Sequence, residues 1–166
     1  ENSLIERFLM EKTSVESKSF FKVIFGATSV FYFRTNFKEG SAMEMTAGVT
    51  QANQGLDNIC WNILGQTYIP KQWSNASFSW HATMPSGTFV PPHIHPEQDE
   101  FIYVLEGQFD LVLAGSEAAA EPGDLVRLPR GIPHGIFNNS DMTNKCLFWV
   151  SPARKLYDLF WGIHNL

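Results

Sequence analysis

Through the middle of the chain, apolar and polar residues alternate in short runs, and most runs end at a proline, a glycine or a polar cluster. A period of two predicts half-buried strands joined by turns. The runs are Trp61 to Ile69, Ser77 to Met84 (ended by Pro85-Ser86-Gly87), Thr88 to His95 (broken by Pro91-Pro92), Glu100 to Leu113, Leu125 to Leu128, Gly135 to Phe137 and Lys145 to Val150. Gly107 inside the longest run marks a bend or hairpin. Strands at this spacing predict a sandwich or barrel. After Pro152 the period changes. Leu156, Leu159, Phe160 and Ile163 fall at i, i+3, i+4 and i+7, the stripe of a helix that begins near Pro152. That stripe is expected to dock on the outside of the barrel.

The chain ahead of these runs follows other patterns. Leu4, Ile5, Phe8 and Leu9 would share a helix face, and Phe20 to Phe33 is aromatic and β-branched, hence strand-like. Gly40 to Gly55 is small and polar and reads as a loop or linker. Within it, Gly40-Ser41-Ala42-Met43 resembles a cloning scar, with Met43 or Met45 a plausible start. Residues 1–54 are therefore expected to be an N-terminal extension, partly non-native; the alternative is a helix and strand that cover the barrel. Residues 55–166 form the main domain with its C-terminal helix, and residues before Met43 are expected to supply no site residue.

Composition narrows the function classes. With 166 residues, 44% apolar and 17% charged, the chain is long enough for one domain with a real core. A net charge of -5 without any basic run argues against nucleic acid as a partner. The apolar run Val23 to Phe33 lies between Lys22 and Arg34, well short of the roughly 20 residues of a membrane span. Its acidic approach does not suit a signal peptide, so a soluble, cytoplasmic protein is expected. Cys60 and Cys146 form no CxxC pair and read as buried thiols on strands, although a single bridge is compatible with the sequence. Aromatics, at 14%, suit a core or an apolar pocket equally.

Two segments carry candidate chemistry. In Gly87 to Gly107, His93 and His95 are two apart and would face one side of a strand. Pro96 ends that strand, Glu97-Gln98-Asp99 turns the chain, and Glu100 opens the next strand, able to point inward beside both imidazoles. Imidazole plus carboxylate suits a divalent first-row metal. In Gly123 to Asn138, a Pro/Gly-rich turn delivers His134 to the start of a strand. Clustered imidazoles and a buried Glu cost free energy unless something pairs them, and a metal ion is the natural partner. His81 alternates with Ser79 and Thr83; it either lines a pocket as a proton carrier or faces solvent. His164 is expected on the surface. Gly87, Gly107, Gly123 and Gly131 fit turns with unusual backbone angles, Asn138 would hold a turn or line the rim, and Asp124 and Arg127 suit a surface pair.

These segments resemble the cupin superfamily. Gly87 to Gly107 matches its first motif, G-x5-H-x-H-x4-E-x6-G, and Gly123 to Asn138 matches its second, G-x5-P-x-G-x2-H-x3-N, at every fixed position. The likeness covers about residues 56–151. It implies an all-β jelly-roll barrel (a double-stranded β-helix) with one divalent metal held by His93, His95, Glu100 and His134. The ion would be Fe, Mn, Ni, Co or Zn. The run Phe89 to Phe101 is most similar to small single-domain cupins of the quercetin 2,3-dioxygenase type. Ile102, Val104 and Ile136 share parity with ligands and would line the site, with Phe89, Phe137 and one of Phe148 and Trp149 as further candidates. Such a lining favours an aromatic or enolic small molecule over a phosphorylated sugar. Three functions follow: a metal-dependent dioxygenase, with Glu100 as conditional proton acceptor; a non-redox isomerase or cyclase; or a small-molecule-binding protein. Both faces of Glu100 to Leu105 are largely apolar, so the outer one is expected to be covered, by the N-terminal segment or in a homodimer.

Overall fold

The computed structural model describes residues 44–164 and, ahead of them, the backbone of three strands: β1 (Lys12–Val15), β2 (Lys18–Phe25) and β3 (Ser29–Arg34). These pair in chain order as an antiparallel sheet, so the run from Phe20 to Phe33 does form strands. The helix expected at Leu4 to Leu9 and the stretch Gly40 to Met43 lie outside the described residues. Residues 44–55 contain neither strand nor helix, as their polar composition predicts. No helix among the described residues is long and apolar enough to cross a membrane.

After a 3₁₀ turn at Leu56–Asn58 come ten strands and one helix. The strands are β4 (Trp61–Ile63), β5 (Gln66–Trp73), β6 (Phe78–Met84), β7 (Phe89–His93), β8 (Asp99–Glu106), β9 (Phe109–Leu113), β10 (Ser116–Ala120), β11 (Leu125–Leu128), β12 (His134–Phe137) and β13 (Asn144–Ser151), followed by α1 (Leu156–His164). They form two antiparallel sheets, of order β11-β8-β13-β6-β5-β4 and β10-β9-β12-β7. From β6 onward the chain passes repeatedly from one sheet to the other, which makes the expected all-β jelly roll.

Where the elements differ from the sequence pattern, backbone geometry gives the reason. The run from Trp61 to Ile69 is a hairpin, not one strand. Leu64 (φ 52°) and Gly65 (φ 82°) both adopt positive φ, as a two-residue hairpin turn of the primed type requires. Ala114 and Gly115 do the same between β9 and β10. The second of those strands, Ser116-Glu-Ala-Ala-Ala120, has a composition depleted in strand formers and left no readable signal. Pro91 and Pro92 do not break β7, because it is the edge strand of its sheet, where missing N–H donors are tolerated. Glu100 to Leu113 divides at Gly107 into β8 and β9, which belong to different sheets. Gly107 takes φ 75°, and a Cβ there would run into the Asn144 side chain. Cys60 is exposed and Cys146 buried, both free, so neither the bridge nor the pair of buried thiols is observed.

Cross-strand register identifies the inner face of the six-stranded sheet. Glu100, Ile102 and Val104 on β8 pair with Val150, Phe148 and Cys146 on β13, and these pair with Phe78, Trp80 and Ala82 on β6. Tyr68 continues the row opposite Ala82, and Trp61 lies opposite Tyr68. All but Glu100 are apolar, and all are buried. The helix packs on this face, which corrects the expected docking on the outside. Phe160 meets Trp61, Tyr68, Phe78 and Trp80 at ring-centroid distances of 5.0–5.9 Å, and Tyr157 stacks on Trp73 at 3.9 Å. Nor does the helix begin at Pro152: Arg154 adopts a left-handed φ of 49°, and regular turns start only at Leu156.

The outer face of the same sheet carries Phe101 stacked on Trp149 at 5.1 Å, with Tyr103, Leu105 and Leu125 each 40–47% exposed. His81 lies on this side, opposite Leu147 and Ile69. Because Phe160 belongs to the interior, Phe160→Ala is expected to destabilise the protein by about 3–5 kcal/mol. Chemical denaturation checks this; a loss below about 1 kcal/mol is what surface docking of α1 would give instead.

Candidate metal centre

Each chemically active side chain owes its place to a different piece of the fold. His93 is the last residue of β7, and His134, the first of β12, lies directly opposite it in the register. Glu100 is the second residue of β8, in the other sheet. His95 lies beyond the end of β7 and not on the strand as expected, yet the i, i+2 relation still turns it to the same side as His93. The backbone N–H of Gly131 donates to the His95 carbonyl at 2.9 Å and ties the two motif loops together. The four side chains thus meet between the two sheets. One ligand atom from each of His93, His95, Glu100 and His134 lies within 4.8 Å of all the others.

The hydrogen bonds on the far side of each ring define what faces the centre. Nδ1 of His93 is 2.8 Å from the Pro91 carbonyl, and Nδ1 of His134 is 2.9 Å from the Ile132 carbonyl. Nδ1 of His95 is 3.0 Å from Gln98 Oε1. All three partners are acceptors, so each Nδ1 carries hydrogen and each neutral ring presents an Nε2 lone pair inward. Nε2 of His93 and of His95 are 2.9 Å apart, and Glu100 Oε2 is 2.9 Å from His134 Nε2 and 3.4 Å from His95 Nε2. Lone pairs gathered so closely in a buried place repel one another unless a cation lies among them. Extra protons relieve this only in part, because one carboxylate balances one positive charge. Three imidazole nitrogens and one carboxylate oxygen suit a divalent first-row ion, and the residues present fit such a group.

The same four groups shift one another's protonation. Burial, reinforced by neighbouring His95 and His134, holds His93 neutral down to about pH 3. Burial pushes the Glu100 carboxyl up, but the adjacent His95 charge and hydrogen bonds from His134 and His95 outweigh it, so Glu100 remains ionised far below the usual carboxylate range. For His95, burial lowers the pKa, and the Glu100 carboxylate more than reverses it.

The surroundings are apolar with a few placed donors. Ile102, Val104, Ile136 and Phe148 are buried, as parity predicts, and of the last pair of candidates Trp149 points outward. Phe89 does not line the site: it is 47% exposed and stacks on Phe137 at 5.9 Å, opposite it in the register. His81 belongs to the outer sheet face, where burial and then Lys71 and Lys145 lower its pKa. His164 is exposed and accepts from the Asn62 N–H at 3.1 Å. Asn138 is buried and holds a turn, its Nδ2 donating to the carbonyls of Met84 and Met142. Asp124 accepts from the Glu121 backbone N–H in place of the suggested pairing with Arg127.

Three buried polar groups carried too little sequence signal to be singled out. Gln98 holds His95. Tyr68 donates to Gln66 Oε1 at 3.0 Å, and burial, with Cys146 and Glu100 nearby, raises its pKa well above the usual value. Trp80, stacked on Phe148 at 5.1 Å, has a buried indole N–H without a protein acceptor among the described residues. Strand parity alone would have placed Tyr68 and Trp80 inward, because each lies within an alternating run, but a row of core aromatics has the same pattern.

A family model described as the cupin domain matches residues 80–150. The chain is 28% identical over 79 residues to the tetracenomycin polyketide synthase protein TcmJ of Streptomyces glaucescens, spanning 48% of this chain and 53% of that protein. Polyketide synthase CurC of Streptomyces cyaneus is 28% identical over 79 residues, spanning 48% of this chain and 51% of its own length. The chain thus spans about half the length of these curated relatives. An RmlC-like cupin from Shewanella frigidimarina NCIMB 400 has the same fold, with a TM-score of 0.61 at 19% identity over 69% of this chain and 99% of that one.

The geometry separates the three clustered histidines from His81, which lies on the outer sheet face. His95→Ala is expected to weaken divalent metal binding at least about 10-fold, since even a residue supporting a ligand contributes that much. His81→Ala is expected to leave it unchanged. Elemental analysis and chelator competition on both variants check the pair.

Proposed function

We propose that this chain, which a cupin-domain family model matches over residues 80–150, is a metal-dependent enzyme of dioxygenase type acting on an aromatic or enolic small molecule. The observation that carries this reading is a four-donor site, His93, His95, Glu100 and His134, beside a buried face of Ile102, Trp80 and Phe148. A divalent ion held there would supply Lewis acidity and keep about two positions open for substrate oxygens or O2. The names of TcmJ and CurC, both polyketide synthase proteins, support a polyketide-like aromatic as the substrate class.

In this reading the residues have distinct tasks. The aromatic face excludes water and receives a planar ligand by stacking. The free N–H of Trp80 donates to a ligand oxygen, since a buried donor without an acceptor costs about 1–3 kcal/mol. Glu100 takes the proton of a substrate hydroxyl when it loosens from its ligand position, and no other buried carboxylate is present among the described residues. Residues 55–166 constitute the functional unit, and those before Met43 supply no ligand. A second copy of the chain covers the outer sheet face around Phe101 and Trp149, making a homodimer.

Turnover of flavonols, catechols and enolic diketones, with and without O2, tests the reaction on protein reconstituted with Fe, Mn, Ni, Co or Zn. Oxygen-dependent turnover is expected, and Glu100→Gln should lower it by about 10² or more, with metal content measured in parallel. Equal turnover without O2 would make the protein an isomerase or cyclase; tight binding without turnover would make it a binding protein. For the dimer, light scattering should give twice the chain mass, and a monomer mass over a wide concentration range would overturn it.

A further inference from the structure

Gln98 lies in the turn between β7 and β8, 7% exposed, and its amide joins two parts of the protein that are far apart in sequence. Its Oε1 faces His95 Nδ1 at 3.0 Å, while its Nε2 donates to the carbonyls of Pro152 at 3.0 Å and Ala153 at 2.7 Å. Both amide hydrogens are therefore taken by backbone carbonyls, which fixes the amide orientation and leaves only oxygen to meet the imidazole. Pro152 and Ala153 lead directly into α1, whose Phe160 and Tyr157 close the aromatic interior. The neighbouring tethers of this turn, Glu97 to Arg154 at 3.5 Å and Asp99 to Arg130 at 3.0 Å, are on the surface and touch no site imidazole. Gln98 alone in the turn is buried against one.

The geometry points to Gln98 as a positioning residue that couples metal binding at His95 to docking of the C-terminal helix. This rests on the metal-site reading above. If His95 held a cation, its ring would lose electron density and its Nδ1–H would become a stronger donor to Gln98 Oε1. The polarised amide then donates more strongly to Pro152 and Ala153, because hydrogen bonds in a chain strengthen one another in a low-dielectric interior. The reverse holds equally. Release of the two carbonyls frees the amide to turn, and His95 loses the acceptor that fixes its tautomer. Linkage requires that the metal stabilise the docked helix by the same factor that docking strengthens metal binding.

The test uses the full chain, with Co(II) as the metal. Hydrogen exchange of residues 152–164 is followed with and without Co(II), and affinity is measured by chelator competition and by the Co(II) ligand-field spectrum. In the wild type, Co(II) is expected to slow exchange across α1. Gln98→Ala should weaken Co(II) binding by about 10–100-fold, alter the spectrum and remove the metal-dependent protection. Gln98→Glu keeps an acceptor for His95 but no donor for the two carbonyls, so it should retain most of the affinity and lose the coupling. Wild-type protein that binds Co(II) without any change in α1 exchange would overturn the coupling alone, and this comparison requires no variant. Gln98→Ala binding as tightly as wild type would also overturn it. Failure of the wild type to take up Co(II) would overturn the metal site and the coupling together.

Discussion

The interaction on which the rest of the structure depends is the pinning of three Nδ1–H groups by acceptors that cannot move away. Two are backbone carbonyls two residues before their own histidine, Pro91 for His93 and Ile132 for His134. The third is the Gln98 amide, itself held by two carbonyls. With those hydrogens engaged, the opposite nitrogens have no choice but to converge, and Glu100 lies where they converge. The alternation of the chain between sheets brings this about: one sheet delivers His93 and His134, the other delivers Glu100, and the connecting turn carries His95. Short links with prolines on each approach reduce the freedom that would otherwise blur the arrangement.

The aromatic interior follows from unequal sheets. Six strands face four, so β4 and β5 extend beyond the cover of the smaller sheet, and their inner rings would be left to water. The helix fills that gap, with Phe160 among Trp61, Tyr68, Phe78 and Trp80 and with Tyr157 on Trp73. It is thus part of the core and not an appendage. The polar groups within this interior are few, and most are matched, as Tyr68 with Gln66. The Trp80 and Trp61 indoles are buried donors left without a protein partner among the described residues.

The four-residue cluster was legible because metal-ligand spacing is a local property: two histidines at i and i+2, a Glu five residues beyond, and a His behind a Pro/Gly turn each survive as a pattern in the chain. Inward parity for Ile102, Val104 and Ile136 was legible for the same reason. What escaped depended on distant partners. Nothing near Gln98 announces Pro152 and Ala153, 54 and 55 residues away. The stripe of α1 showed that it had an apolar face, but an apolar stripe is the same whether it covers a barrel or closes one. Phe89 was expected inward, yet the register around the irregularity between His134 and Ile136 turns it out beside Phe137. Strand β10 was missed because three successive alanines carry no preference strong enough to read, and its pairing with β9 decides the matter.

The two adjacent prolines of β7 have a consequence for how the molecule meets its neighbours. Successive residues of a strand direct their N–H groups to opposite sides, so Pro91 and Pro92 remove one donor toward β12 and one toward the open margin of the sheet. The loss toward β12 falls beside the register irregularity at His134 and Ile136, where the ladder is already interrupted. The loss on the open side blunts the strand as a template: an extended chain arriving from solvent finds a missing rung beside His93 and cannot zip along it. The margin that carries His93 is thereby guarded against strand capture, which leaves the neighbourhood of the four-residue cluster free of edge-to-edge pairing.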